Sequence, residues 1–505
     1  MNLRTRCALA IASGVLEVLG FIGFGLFPLT WIAKVPVLLA VSGQSLRRTF
    51  LLGLLYGAVT HLGGYYWLNH ALIEFAELGV VVSAALLLLI ATGFGLLFAL
   101  LLWCVRRAQR DLGIAPVWSL LVAYPAVEFV FPNLFAYNIG ASQYRFTAIT
   151  QIVEVTGLLG LTALIGMVNG AVYELLEARL AKRRVITRRW AVPAAAFGLV
   201  LAFGLIRIAQ VDARIASARH ITVGLVQTNL AAGDKEQRHR EFIDVHRAMT
   251  RELIAAHPEV ELIVWPETAY NAPLPHDVKN VRDELQPQRP MIVGAMVQAT
   301  GGSSSLKFNS VLAVAPDGDV TGRFDKVRLL TFGEAIPFVE TFPGLRNWFP
   351  DAVTVRGTHF ENLQLSGVTL LPTICYEDIL PDQVRKMWHR AGPPDVLVNV
   401  SNEVWFGDSH EPLVHLALAS LRSIETRRAL IRSTQTGISA FVDPVGRIIS
   451  RTGQWQREVL VDQVPLIADG GATLYLRTGD ALGWACVALS AAGLVACIRA
   501  RRKTV

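Results

Sequence analysis

Long apolar runs, interrupted by short basic clusters, are the feature that most limits what this chain can become. Residues 1–215 and 478–498 carry sparse charge and contain apolar stretches of about 20 residues, the length a helix needs to cross a bilayer. Spans are expected near 7–25, 27–43, 50–72, 79–104, 115–131, 155–176, 191–210 and 479–498. Arg4 and Arg6 precede the first run as they would in a secretory signal. No small-x-small site closes that run and further spans follow, so it reads as a retained helix.

Basic residues set the expected orientation. They collect at Arg4 and Arg6, at Arg47 and Arg48, at Arg106, Arg107 and Arg110, across 179–189, and from Arg499 to Lys503. The alternate loops, around 26, 73–78 and 132–148, hold only Arg145. Cytoplasmic loops are the Lys/Arg-rich ones, so both termini are expected in the cytoplasm, and seven crossings place 220–475 outside. The expected organisation is a seven-span membrane domain over 1–215, an exported domain over 220–475, and an eighth transmembrane helix over 479–498 with a basic tail to 505. The formal charge of +7 belongs to this topology, because 220–475 holds 24 Lys and Arg against 30 Asp and Glu. Nucleic acid is therefore rejected as a partner.

Glu17, Glu128 and Glu154 are the isolated carboxylates near the apolar runs. They have no basic partner in register, which argues against an ion pathway and for positions near interfaces or facing a bundle interior. The loop 132–148 interleaves aromatic residues suited to the headgroup layer and is a candidate floor beneath the soluble domain.

From Ile221 the texture changes. Ile221–Gln227 alternates as a half-buried strand, and a polar helical stretch follows from about 235 to 256. Apolar runs at 261–265, 291–297, 368–374 and 395–401 read as strands, with a helix between the first two and another near 411–428. Pro-Asp-Gly-Asp at 316–319 and Asp443-Pro-Val-Gly446 mark hairpins. Strands alternating with helices predict a layered α/β domain, a mixed sheet with helices packed outside.

Within that domain, Leu371-Pro-Thr-Ile-Cys-Tyr-Glu-Asp378 reads as strand, elbow and helix, a turn that exposes its first side chain beside backbone N–H groups. Cys7, Cys104, Cys486 and Cys497 lie in or beside expected spans, so Cys375 has no partner within its own domain and looks like a reagent. Glu267 in Val-Trp-Pro-Glu-Thr and Lys326 in Phe-Asp-Lys-Val-Arg also follow apolar runs, and α/β sheets bind ligands at the carboxyl ends of their strands. A carboxylate can take a thiol proton, and an ammonium with a backbone N–H can hold an oxyanion.

Trp-Pro-Glu, then Lys followed by Phe-Gly-Glu, then Cys-Tyr-Glu, in that order, resembles the nitrilase/amidase superfamily, with its Glu-Lys-Cys triad on an αββα sandwich. Asn402-Glu-Val-Trp-Phe-Gly407, Leu416–Glu425 and Ile431–Ser439 add to the likeness. With seven spans before and one after, and the loop ending Gly140-Ala-Ser-Gln143, the chain resembles the membrane-embedded branch of that superfamily, the apolipoprotein N-acyltransferases.

The resemblance implies Glu267 as general base, Lys326 as oxyanion partner and Cys375 as nucleophile, with Glu334, Tyr376 and Glu377 in support. It implies a bacterial inner-membrane enzyme, its catalytic domain periplasmic. A fatty acyl chain would pass from a phospholipid, through a cysteine thioester, to the α-amine of a diacylglyceryl-cysteine on a lipoprotein. No metal or organic cofactor is implied, and His410 and His415 read as structural or surface residues. Two departures stand out: no tryptophan follows the first strand in Asn229–Glu236, and the usual Asn-Asp-Ala is Asn402-Glu403-Val404. The segment Phe338–Phe349 is expected to be a lid over an apolar, water-shielded site. The same triad also suits a membrane-anchored amidase, and a transporter or receptor with an inactive nitrilase-like sensor is a third reading.

Overall fold

The computed structural model describes residues 1–132, 135, 137–230, 239–299, 306–330, 334, 354–467 and 471–502. The expected lid, Phe338–Phe349, lies outside them. The chain divides into two compact units, one of Met1–Gln210, Ser409–Ala417 and Thr473–Val505, the other of Val211–Asp408 and Leu418–Ala472.

The first unit is helical. Its longer helices are α1 (Leu3–Leu19), α2 (Leu46–Gly64), α3 (Val80–Leu112), α4 (Pro116–Val130), α5 (Leu158–Leu180), α6 (Arg188–Ser217) and, near the end of the chain, a helix over Ala481–Arg502. Local chemistry sets their ends. The Asn2 side chain accepts from the Thr5 N–H at 2.9 Å to cap α1. Pro116 opens α4, where its missing N–H costs nothing, and Gly113, at φ 68°, closes α3. The helices α2 and α3 meet along small residues: a Cβ on Gly57 would lie 2.6 Å from the Gly95 Cα, and one on Gly53 would lie 2.8 Å from that of Ala99.

Among the described residues, four helices are long and apolar enough to cross a membrane: α3, α5, α6 and Ala481–Arg502. The other expected spans take different forms. α1 has 17 residues and α4 has 15. The run 27–43 is a 3₁₀ turn over Phe27–Trp31 and a separate short helix over Val35–Val41, with a proline at the start of each. The run 50–72 is divided between α2 and Leu68–Glu74.

The expectation that the acids of this unit lack basic partners is overturned for two of them. Lys34 Nζ donates to Glu17 Oε1 at 2.8 Å with both side chains buried, and Tyr56 adds a hydroxyl at 2.9 Å. Arg207 Nη2 donates to Glu154 Oε2 at 2.9 Å. Glu128 accepts from the Thr162 hydroxyl and the Ile139 N–H at 2.7 and 3.0 Å. The partners come from other segments of the chain, 11 to 53 residues away, which is why spacing did not reveal them. His415, read as structural or surface, is buried, with its Nδ1 3.9 Å from Glu411.

The second unit is a two-sheet sandwich. In chain order its strands are β1 (Arg219–Gln227), β2 (Leu262–Val264), β3 (Tyr270–Leu274), β4 (Met291–Gln298), β5 (Lys307–Val314), β6 (Val320–Asp325) and β7 (Thr354–Val355). Then come β8 (Leu363–Leu365), β9 (Val368–Ile374), β10 (Val396–Ser401), β11 (Ala429–Thr434), β12 (Ala440–Val442), β13 (Ile448–Arg451) and β14 (Glu458–Leu466). One sheet runs β14-β1-β2-β4-β5-β6, with β3 on β4 and β7 on β5; the other runs β13-β12-β11-β10-β9-β8. Helix α7 (His239–Ala256) packs on the first sheet and α8 (Pro381–Ala391) on the second, giving αββα layering.

Two sheets stand where alternation alone predicted a mixed sheet, in the αββα layering that the family resemblance implied. Strands of both are buried on each face, so their apolar runs carry no mark of which sheet they join. β14 pairs antiparallel with β1 along its whole length. The helix expected between β2 and β4 is confined to Arg282–Leu285, with β3 in its place. Between the sheets, Gln227 Oε1 accepts from Thr434 Oγ1 at 3.0 Å, Ser439 Oγ at 2.7 Å and Thr452 Oγ1 at 2.8 Å, so these four interior side chains satisfy one another.

Candidate active site

Three strand ends supply the candidate residues. Glu267 lies three residues beyond β2, Lys326 directly follows β6, and Cys375 directly follows β9. Both turn positions flanking the site are left-handed: Thr268 has φ 54° and Cys375 φ 51°. That region disfavours side-chain-bearing residues, most of all a β-branched one such as Thr268.

The structure brings the buried Glu267 and Lys326 and the half-buried Glu334 into one cluster. Lys326 Nζ donates to Glu334 Oε1 at 2.8 Å and to Glu267 Oε1 at 3.4 Å. Glu267 Oε1 also accepts from Asn309 Nδ2 at 2.6 Å, and its Oε2 accepts from the Asn402 N–H at 2.7 Å. Burial alone would pull the Lys326 ammonium down, but the carboxylates of Glu334 and Glu267 override it and hold the group well above the ordinary lysine range.

The charges of this cluster reach Cys375. Burial pushes its thiol up, Glu267 and Glu334 push the same way, and Lys326 pulls only partly back. These influences together hold the resting cysteine as a thiol.

Glu377 explains its own place. Its Oε1 accepts from the N–H groups of Val327 and Arg328 at 2.7 and 2.8 Å, and its Oε2 from that of Ile374 at 2.9 Å. One carboxylate thus ties the residues after Lys326 to the residue before Cys375. Burial pushes Glu377 up to about 7, against those N–H groups and the Lys326 charge. Tyr376, next to Cys375, is half-buried.

Asn309 and the Asn402 backbone were not anticipated as partners of Glu267. Asn402 opens the Asn-Glu-Val-Trp-Phe-Gly stretch, but a contact made by a main-chain N–H leaves no trace in residue type. Gly294 on β4 is a further contributor, because a Cβ there would lie 2.3 Å from the Pro266 carbonyl oxygen and 2.6 Å from the Glu267 Cα. Gly294→Ala is expected to cost about 1–3 kcal/mol by overpacking and to slow acylation about 100-fold by displacing Glu267. Thermal unfolding and single-turnover kinetics measure the two effects separately.

The layered sandwich is that of a carbon-nitrogen hydrolase domain, and residues 222–468 match the carbon-nitrogen hydrolase family. Residues 13–171 match the apolipoprotein N-acyltransferase N-terminal domain. Over 98% of its length the chain is 30% identical to the apolipoprotein N-acyltransferase of Geobacter metallireducens, covering 96% of that protein. It is 30% identical to that of Bradyrhizobium diazoefficiens, over 96% of this chain and 94% of the relative. Among solved structures, a carbon-nitrogen hydrolase from Helicobacter pylori G27 aligns with 49% of this chain and 90% of its own, at 17% identity and a TM-score of 0.37. The chain belongs to the apolipoprotein N-acyltransferase family.

Proposed function

We propose that this protein transfers a fatty acyl chain from a membrane phospholipid, through a thioester on Cys375, to the α-amine of a diacylglyceryl-cysteine at the amino terminus of a lipoprotein. The observation that carries the mechanism is the Glu267–Lys326–Glu334 cluster acting on a cysteine held at a strand-end turn. In the first half-reaction Glu267 accepts the thiol proton as sulfur attacks the ester carbonyl. The tetrahedral oxyanion is held by the Lys326 ammonium and the Tyr376 backbone N–H. The C–O bond then breaks, and the proton on Glu267 passes to the departing lysophospholipid oxygen. In the second, the amine attacks the thioester and gives its proton to Glu267; the C–S bond breaks and the sulfur regains a proton. The two products leave in turn, a ping-pong sequence. Glu334 fixes Lys326, and Glu377 fixes the turn around the nucleophile.

In this reading the first 215 residues form a seven-span membrane domain, 220–475 an exported catalytic domain on the periplasmic side of a bacterial inner membrane, and 479–498 an eighth span, with both termini cytoplasmic. The four long apolar helices and the distribution of basic residues support it.

Intact-mass spectrometry after incubation with phospholipid tests the proposal. A mass gain of one fatty acyl group is expected, removed by neutral hydroxylamine and absent from Cys375→Ala. A wild-type protein that gains no acyl mass from phospholipid, while its thiol turns over small amides, would make it an amidase instead.

A further inference from the structure

Cys375 occupies a backbone conformation that costs a non-glycine residue on the order of 1–2 kcal/mol, so neighbouring contacts must hold it there. Those contacts form a row across the second sheet. In the parallel register β9-β10-β11, Thr373 lies opposite Asn399 and Asn399 opposite Arg432. The Asn399 amide donates to Thr373 Oγ1 at 3.1 Å and to the carbonyl of Cys375 itself at 3.2 Å. Arg432 Nη1 in turn donates to Asn399 Oδ1 at 2.9 Å and to Asp378 Oδ2, in the turn after the nucleophile, at 2.5 Å. Its Nη2 donates to Glu403 Oε1. Glu403 follows Asn402, whose N–H holds Glu267. Arg432 is fully buried, and Asp378 and Glu403 are nearly so.

We propose that Arg432 is a positioning residue that locks the nucleophile turn and the turn behind the general base into one frame, so that Cys375 and Glu267 keep a single mutual geometry. A planar fork with fixed donor directions can hold Asp378, Asn399 and Glu403 together, whereas a lysine offers one point of charge. The acceptor set also gives the glutamate at 403 a physical role: its longer side chain spans to the guanidinium. The fit is close, since a Cβ on Gly437 would lie 1.6 Å from Glu403 Oε2. The inference rests on the thioester mechanism proposed above, but not on the identity of the acyl donor.

Arg432→Lys tests it, with p-nitrophenyl butyrate as a probe that acylates the thiol without a phospholipid. The burst rate constant is expected to fall about 100-fold while the half-saturating ester concentration stays within about twofold and the melting temperature within a few degrees. A burst within about threefold of wild type, or a loss no larger than the loss of folded protein, would overturn the proposal. Should the lysine variant fail to fold, Glu403→Asp gives the same reading, because it withdraws one acceptor by a single methylene. It is expected to slow the burst about tenfold, and a full-rate Glu403→Asp would equally overturn the proposal. A wild type with a burst on the nitrophenyl ester but no acyl gain from phospholipid would remove the assigned donor and leave the role of Arg432 intact.

Discussion

Glu267→Gln is expected to leave Cys375 almost unacylated. The resting thiol holds its proton firmly, so attack depends on a base that takes it in the same step, and loss of a general base costs roughly 100- to 10,000-fold. The substitution also breaks a matched set of donors. Glu267 accepts at both oxygens, from Asn309 and Lys326 on one side and from the Asn402 N–H on the other. A glutamine amide must turn its NH₂ toward one of these donors, leaving a buried donor unpaired at about 1–3 kcal/mol. The expected result is a folded protein of lowered melting temperature whose acyl-enzyme forms at less than about one hundredth of the wild-type rate, followed by intact mass against time. A variant acylated within tenfold of wild type would remove Glu267 from the base role.

Lys326→Met is expected to affect stability as strongly as rate. The ammonium lies between Glu334 and Glu267, and methionine has similar length but no charge. The buried carboxylate of Glu267 and the half-buried one of Glu334 would then face each other across Asn309, whose amide reaches both at 2.6 and 3.3 Å. Removing one partner from a buried ion pair costs about 3–5 kcal/mol, and loss of an oxyanion donor about 100- to 1,000-fold in rate. The comparison with Lys326→Met/Glu334→Gln separates the two effects. The second change relieves the repulsion and should recover most of the melting temperature, while the rate should stay low. Recovery of both together would make Lys326 a structural cation only.

Much of the site was legible because its residues sit where chemistry and chain geometry coincide. Cys375 ends an apolar run, and β9 spans the same Val368–Ile374 that the sequence predicts. The hairpin at Pro-Asp-Gly-Asp is present between β5 and β6, and that at Asp443–Gly446 between β12 and β13. Less legible were the contacts that hold the site in place. Asn399 and Arg432 look like ordinary strand residues; only the parallel register, which no local pattern encodes, sets them beside the nucleophile. Glu17 and Lys34 are hidden for a related reason, since a charge within an apolar run reveals its need for a partner but not the partner's address. Sheet membership failed because strands buried on both faces lose the alternation that distinguishes inside from outside.

The protonated, largely enclosed state of Cys375 bears on durability as well as on catalysis. Thiolates rather than thiols attack peroxides and disulfides, and exposed thiolates do so fastest. With 9% of its surface accessible and its proton retained by burial and neighbouring carboxylates, the resting sulfur offers oxidants little to react with. Under the exported placement proposed above, where no glutathione pool would restore a sulfenic acid, that reticence lets a single unpaired cysteine persist in an oxidising compartment. In the mechanism proposed above, the sulfur gives up its proton only as it attacks a bound acyl donor.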